Sequence, residues 1–214
     1  MIRRLLLGCA VVLGLGACSD SSDSGGNGPW RVPEVSVDAV RLAAAKAGPA
    51  PKDCPLGVDV PATLRAAGVD QQAKLDTAEA TASKTDEPAA DPIAAQKGGM
   101  SAIDAAAGGE IACYYTLGDD KVDVYLVATK VKGAAAVLGP IIARDAHVKL
   151  PDLPKYVAPP PGPGEIKIAA DSVAVCGLRA NGGDAAMVVS STAAKVHGDT
   201  LRSVAGTLVS SVMF

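Results

Sequence analysis

The chain has 214 residues, a formal net charge of −3 and only 3% aromatic residues. That length supports one domain with a real core, and the acidic balance leaves no basic stripe to track phosphates, which argues against nucleic acid as a partner. One Trp, one Phe and four Tyr are too few to build the aromatic platforms on which sugars and bases stack.

In chain order, Arg3 and Arg4 precede an uncharged apolar run from Leu5 to Leu15, followed by Gly16, Ala17 and Cys18. A basic start, a short apolar stretch and small residues form the secretory signal pattern. Eleven helical residues would span about 16 Å, roughly half a bilayer's hydrocarbon core, which is too short for a transmembrane helix. Leu15-Gly16-Ala17-Cys18 resembles the lipobox of bacterial lipoproteins. The resemblance implies removal of residues 1–17 and a diacylglycerol on the Cys18 thiol, anchoring the chain to the outer face of the cell membrane. Two acyl chains hold firmly where one anchors only marginally. Loss of Arg3 and Arg4 would make the remainder more acidic still. Residues 18–33 then form a lipidated tether, rich in Ser, Asp and Gly up to Pro29 and flexible on that composition. Trp30 is expected to pack where the fold begins, or else to lie in the lipid interface.

A single domain over 34–214 is expected. Ser36 as N-cap, Val35 and Val40 as a staple and Gly48 as a stop predict a helix over 37–47 burying Val37, Val40 and Ala44. A second helix follows over about 60–67, burying Val60, Leu64 and Ala67. Residues 71–98 are Thr, Ala, Asp, Glu, Lys and Gln with few large apolar side chains. Their composition predicts a mobile insertion that cannot offset its ordering entropy.

Ile111–Leu117 and Lys121–Val131 alternate as strands. A loop at Asp119–Asp120 would set Leu117 opposite Val122, Tyr115 opposite Val124 and Cys113 opposite Leu126, all facing the core. Thr116, Asp123 and the pair Tyr114/Tyr125 take the outer face. Residues 133–146 predict a helix broken by Pro140, with Val137, Leu138, Ile141 and Ile142 as its buried face. Six prolines between 151 and 163 predict an extended crossover. Three more strands follow over 165–170, 172–180 and 184–191, the last two joined at Asn181-Gly182-Gly183-Asp184 with Cys176 opposite Val189. An amphipathic helix from about Asp199 closes the chain. The order predicts an α+β fold: a mostly antiparallel sheet of about five strands with helices on one face.

The Cys54-Pro55 pair before a short helix, Cys113-Tyr114 on a strand, Cys176 on a later strand and the closing helix resemble a family of actinobacterial cell-envelope lipoproteins of unknown function. That resemblance implies an envelope location and this type of fold. His197-Gly198-Asp199 stand where that family often has a further cysteine. Of the cysteines beyond Cys18, thiols outside the cytoplasm tend to oxidise and three leave one over. Cys54–Cys113 is the expected bond with Cys176 a buried thiol; Cys113–Cys176 is the rival if their strands are neighbours.

For chemistry, His147 and His197 lie far apart and lack the close ligand pair that zinc sites usually show. There is no nucleophile elbow and no phosphate loop. Thr192-Ala-Ala-Lys195 has the spacing of a Ser-x-x-Lys nucleophile without its companion motifs, and Asp119, Asp120 and Asp123 read as a soluble hairpin tip. No catalytic residue, metal or cofactor is therefore expected. Tyr114 and Tyr125 are the candidate contact site, although cross-strand aromatic pairs also stabilise sheets without any ligand. The expected role is a non-catalytic binding or accessory module that takes an envelope protein or an apolar small molecule. The alternatives are an envelope hydrolase with an unrecognised site, or a spacer or surface antigen.

Overall fold

A computed structural model describes residues 30–87 and 89–214. The signal segment 1–17, Cys18 and the tether up to residue 29 lie outside the described residues. The elements are β1 (Glu34–Ser36), α1 (Val37–Ala47), α2 (Val60–Ala66), β2 (Lys74–Leu75), β3 (Thr81–Lys84), α3 (Pro92–Lys97), α4 (Ala102–Ala106), β4 (Gly108–Leu117), β5 (Asp120–Thr129), α5 (Ala134–Val137), α6 (Gly139–Asp145), α7 (Pro154–Val157), β6 (Ile166–Ala169), β7 (Val173–Gly177), β8 (Arg179–Asn181), β9 (Asp184–Ser191) and α8 (Gly198–Ser211). The main sheet runs β2-β4-β5-β9-β7-β6, with β3 also paired to β4. Its pairings are antiparallel throughout. The fold is α+β, and the sheet has seven strands rather than about five.

Helix α1 begins where its cap dictates: Ser36 Oγ accepts from the Ala39 amide, and the Gly48 amide returns to the Ala44 carbonyl at 3.0 Å. It buries Val37, Val40 and Ala44. Asp59 caps α2, whose buried residues are Val60 and Leu64. Along α8, Leu201, Val204, Ala205, Leu208 and the capping Val212 are all buried. These three helices share one core with Ile111, Cys113, Tyr115, Leu117, Val122, Val124 and Leu126. Trp30 packs on α8 at Gly206, where any Cβ would stand 2.1 Å from the indole.

The opposite face of the sheet is covered as well, and this corrects the one-sided expectation. Ala134, Ala135, Leu138, Ile142 and Ala146 from the α5–α6 region bury a second core against Ala112, Tyr125, Val127, Val173, Val175 and Val188. Val137 and Ile141 are only half-buried there.

Both hairpin registers differ from expectation by two residues. Leu117 lies opposite Asp120, Tyr115 opposite Val122 and Cys113 opposite Val124. Gly118 opens the loop with φ 66°, a left-handed conformation that glycine adopts without a Cβ penalty and that a loop at Asp119–Asp120 would have required of an aspartate. A shift of two leaves every side chain on its expected face. Likewise Cys176 lies opposite Met187 rather than Val189. Past Gly177, whose missing Cβ makes room for the Pro161 and Gly162 carbonyls, the chain leaves the main sheet. There β8 pairs in parallel with β1.

The segment 71–98, expected to be a mobile excursion, supplies β2 and β3 to the β4 edge. Backbone pairing orders it where side-chain burial is sparse: among its described residues only the small Ala73, Ala80 and Ala82 are buried. Arg41 of α1 donates to the Thr85 and Asp86 carbonyls at 3.0 and 2.9 Å and pins the end of β3. The proline-rich stretch is likewise not wholly extended. It holds a 3₁₀ turn at Leu150–Asp152 and then α7, each with a proline in its first turn, where the missing amide costs nothing.

Candidate functional site

Cys54 and Cys113 form a disulfide with Cα atoms 5.7 Å apart, and Cys176 is a buried free thiol. The rival pairing is excluded by strand order. Cys113 on β4 and Cys176 on β7 are separated by β5 and β9, a distance of roughly 14 Å at the usual strand spacing, twice what a disulfide spans. The bridge ties the loop before α2 to the middle of strand β4. Beside it, Asp53, Val58, Asp59, Leu75 and Tyr115 line an open recess of about 440 Å³. Burial, with the Asp59 charge adding to it, pushes the Tyr115 phenol up to about 12.

Tyr114 and Tyr125 meet edge to face, with ring centroids 5.6 Å apart and an interplanar angle of 87°, a favoured aromatic geometry. They are diagonal rather than opposite neighbours, since Tyr114 faces Asp123 and Tyr125 faces Ala112. The expectation of two outward rings is corrected: Tyr125 is 1% exposed within the second core, and Tyr114 is half-buried against it. Only Tyr114 offers area to a partner.

Three charged residues join the tyrosines: strand alternation already sets Asp123 on their face and gives no sign of Arg144 and Asp145. The alternation of β5 turns Val122 and Val124 to one core and Asp123 with Tyr125 to the other face. The end of α6 brings Arg144 and Asp145. The Tyr125 hydroxyl donates to Asp123 Oδ2 at 3.4 Å and accepts from Arg144 Nη2 at 3.0 Å. Arg144 Nε donates to Asp145 Oδ1 at 2.6 Å. Asp123 Oδ1 and Asp145 Oδ2 are both buried with no hydrogen-bond partner. Burial, reinforced by the Asp145 charge, pushes the Asp123 carboxyl up to about 6, against the opposing pull of Lys121, Tyr125 and Arg144. Burial also raises the Tyr114 and Tyr125 phenols, and the bond that Arg144 donates to Asp145 holds Arg144 protonated. The signal for this cluster was a charged residue in strand alternation on a face that a second helical layer covers.

The remaining sequence candidates lie apart from it. His147 is exposed, and His197 is half-buried with Nε2 3.1 Å from the Ser191 carbonyl. The Thr192 hydroxyl accepts from the Lys121 amide at 2.8 Å, and Lys195 is exposed. Among the described residues no group of three or more His, Cys, Asp or Glu is placed to hold a metal ion, and no helix is long and apolar enough to cross a membrane. The chain matches no protein-family model, and no curated protein or solved structure shows detectable similarity to it.

Proposed function

We propose that this protein is a lipoprotein held by lipid on Cys18 at the outer face of the cell membrane, where its domain acts as a non-catalytic binding or accessory module of the envelope. The Cys54–Cys113 disulfide carries this reading, because such bonds persist in oxidising compartments and are rare in the cytosol. The lipobox resemblance supplies the anchor. Both interlayer spaces are filled by large buried side chains such as Leu126, Ile142 and Leu208, which favours a protein partner at the surface over an apolar small molecule held between the layers. Tyr114 is the contact residue of choice. The test is expression in a native envelope, with fractionation and intact mass, followed by in-cell cross-linking. Wild type should carry an acyl mass in the membrane fraction, Cys18→Ser should lose both, and Tyr114→Ala should lose a reproducible cross-linked species. Unacylated wild type in the medium, or cross-links indifferent to Tyr114, would count against the corresponding half of the proposal.

The raised Asp123 carboxyl favours a second reading, since perturbed carboxylates on rigid elements are what acid–base catalysis requires. On that reading purified protein has a hydrolase activity that Asp123→Asn abolishes. On the first reading no such activity exists.

A further inference from the structure

Asp123 Oδ1 and Asp145 Oδ2 pose a chemical problem. Each is a buried acceptor without a donor, whereas buried polar atoms are almost always paired. None of the donors nearby reaches either atom. From β5, Tyr125 gives its one proton to Asp123 Oδ2. From α6, Arg144 uses Nε on Asp145 Oδ1 and Nη2 on Tyr125. The other titratable groups that face the cluster are Lys121 of β5, which attracts Asp123, and Tyr114 of β4, whose own neighbours include Glu110. An ionised carboxylate can only accept, but a carboxylic acid also donates. A proton on Asp123 Oδ1 therefore turns that atom from an unmet acceptor into a donor and removes one of the two negative charges.

We propose that Asp123 is a proton-binding site that latches the end of α6 onto β5, the proton residing on Asp123 and relieving its repulsion with Asp145 across the Tyr125–Arg144 chain of bonds. With the proton in place, the Arg144–Asp145 ion pair is the charge balance of the cluster, and β5 and α6 share a continuous chain of bonds through Tyr125. When the proton leaves, two half-buried negative charges act on one another within the cluster, and like charges disfavour one another strongly out of water. The end of α6 is the element able to yield. It is seven residues long, with proline in its first turn, and the chain reverses directly after it at His147 with φ 51°. The position of the Asp123 carboxyl near pH 6 sets the direction: acidification closes the latch and alkaline conditions open it.

Hydrogen–deuterium exchange of the full chain, corrected for intrinsic rates, tests this on peptides covering residues 139–148. In wild type, exchange there should be at least tenfold faster at pH 8 than at pH 5. Asp123→Asn supplies a permanent donor and should be slow at both values, and Asp145→Asn should behave alike. His147→Gln, which alters an exposed histidine just outside the helix, should keep the wild-type response. In parallel, the carboxyl ¹³C shift of Asp123 should titrate with a midpoint above pH 5. An unchanged pH response in Asp123→Asn, a midpoint near the ordinary aspartate value, or recovery of wild-type protection at pH 8 by calcium or magnesium would overturn the proposal, the last by showing that the site takes a metal cation instead of a proton.

Discussion

Removing the Cys54–Cys113 bridge should be the most damaging change confined to a single bond. The two cysteines are 59 residues apart, and on the loop-entropy relation a closure of that length contributes about 4 kcal/mol at 25 °C. Against a typical total of about 5–15 kcal/mol, this is roughly a quarter or more of the stability. Two effects shift the number in opposite directions. Cys113 is fully buried in the main core, so Cys113→Ala also loses sulfur packing, adding about 1 kcal/mol. Yet β2 and β3 lie inside the closed loop and pair with β4 itself. Residual pairing there in the unfolded chain would shrink the entropy that the bond removes. We expect Cys54→Ala/Cys113→Ala to lose about 3–5 kcal/mol in urea denaturation followed by circular dichroism, with a larger m value because the unfolded chain expands. Cys176→Ala leaves the bond intact, so it should lose only packing and keep the wild-type m value. A loss under about 1 kcal/mol in the double variant would refute the entropy argument, and non-reducing peptide maps should contain the Cys54–Cys113 peptide.

Three further outcomes are expected. The folded Asp123 carboxyl lies near 6 against an ordinary 3.8, so its contribution is fully present below pH 3.8 and lost as pH rises through 6. The stability of Asp123→Asn relative to wild type should accordingly rise by about 1–2 kcal/mol from pH 4 to pH 7, after discounting for solvent screening; a difference that is flat with pH speaks against it. Asp184 Oδ2 accepts from the Gly133 and Ala134 amides at 2.8 and 2.9 Å and so caps α5 from a neighbouring strand. Asp184→Ala should lose about 1–2 kcal/mol in urea denaturation, and Asp184→Asn less. Gly206→Ala gains about 1 kcal/mol of helix propensity but must displace Trp30. Because Trp30 is the chain's one tryptophan, the emission maximum should shift to the red even where overall stability barely changes.

What could be read from the sequence was whatever depends on local spacing. Ser36, Val37, Val40, Ala44 and Gly48 specify α1 between themselves, as a cap, a stripe and a stop, and α1 occupies those residues. The faces of β4 and β5 follow from alternation, which a register shift of two leaves intact. The register itself turned on one glycine in the loop. The second helical layer has a signal of its own in the strands it covers. Val173–Gly177 is buried at every residue, and β9 is buried from Ala185 to Ser191. Unbroken apolar runs of that kind mark strands covered on both faces, whereas one-sided strands alternate. The order of the segment 71–98 has a different origin. Composition measures how much surface a segment can bury, but β3 is held largely by backbone pairing and by Arg41 reaching across from α1, neither of which composition records.

The cluster around Asp123 shows the same limit at the level of a site. Alternation placed Asp123, Tyr114 and Tyr125 on one face, and on an open face they would make a solvated tip with two contact aromatics. The α5–α6 layer changes what those residues are. It buries Tyr125, takes Asp123 out of most of the water and adds a second carboxylate beside it. A side chain whose sequence setting says soluble turn thereby becomes an acid of raised pKa inside a hydrogen-bonded network. Whether a charged residue on a strand is surface or site depends on what covers it, so the chemistry of Asp123 was decided by helix packing around residue 144, some twenty positions further along the chain.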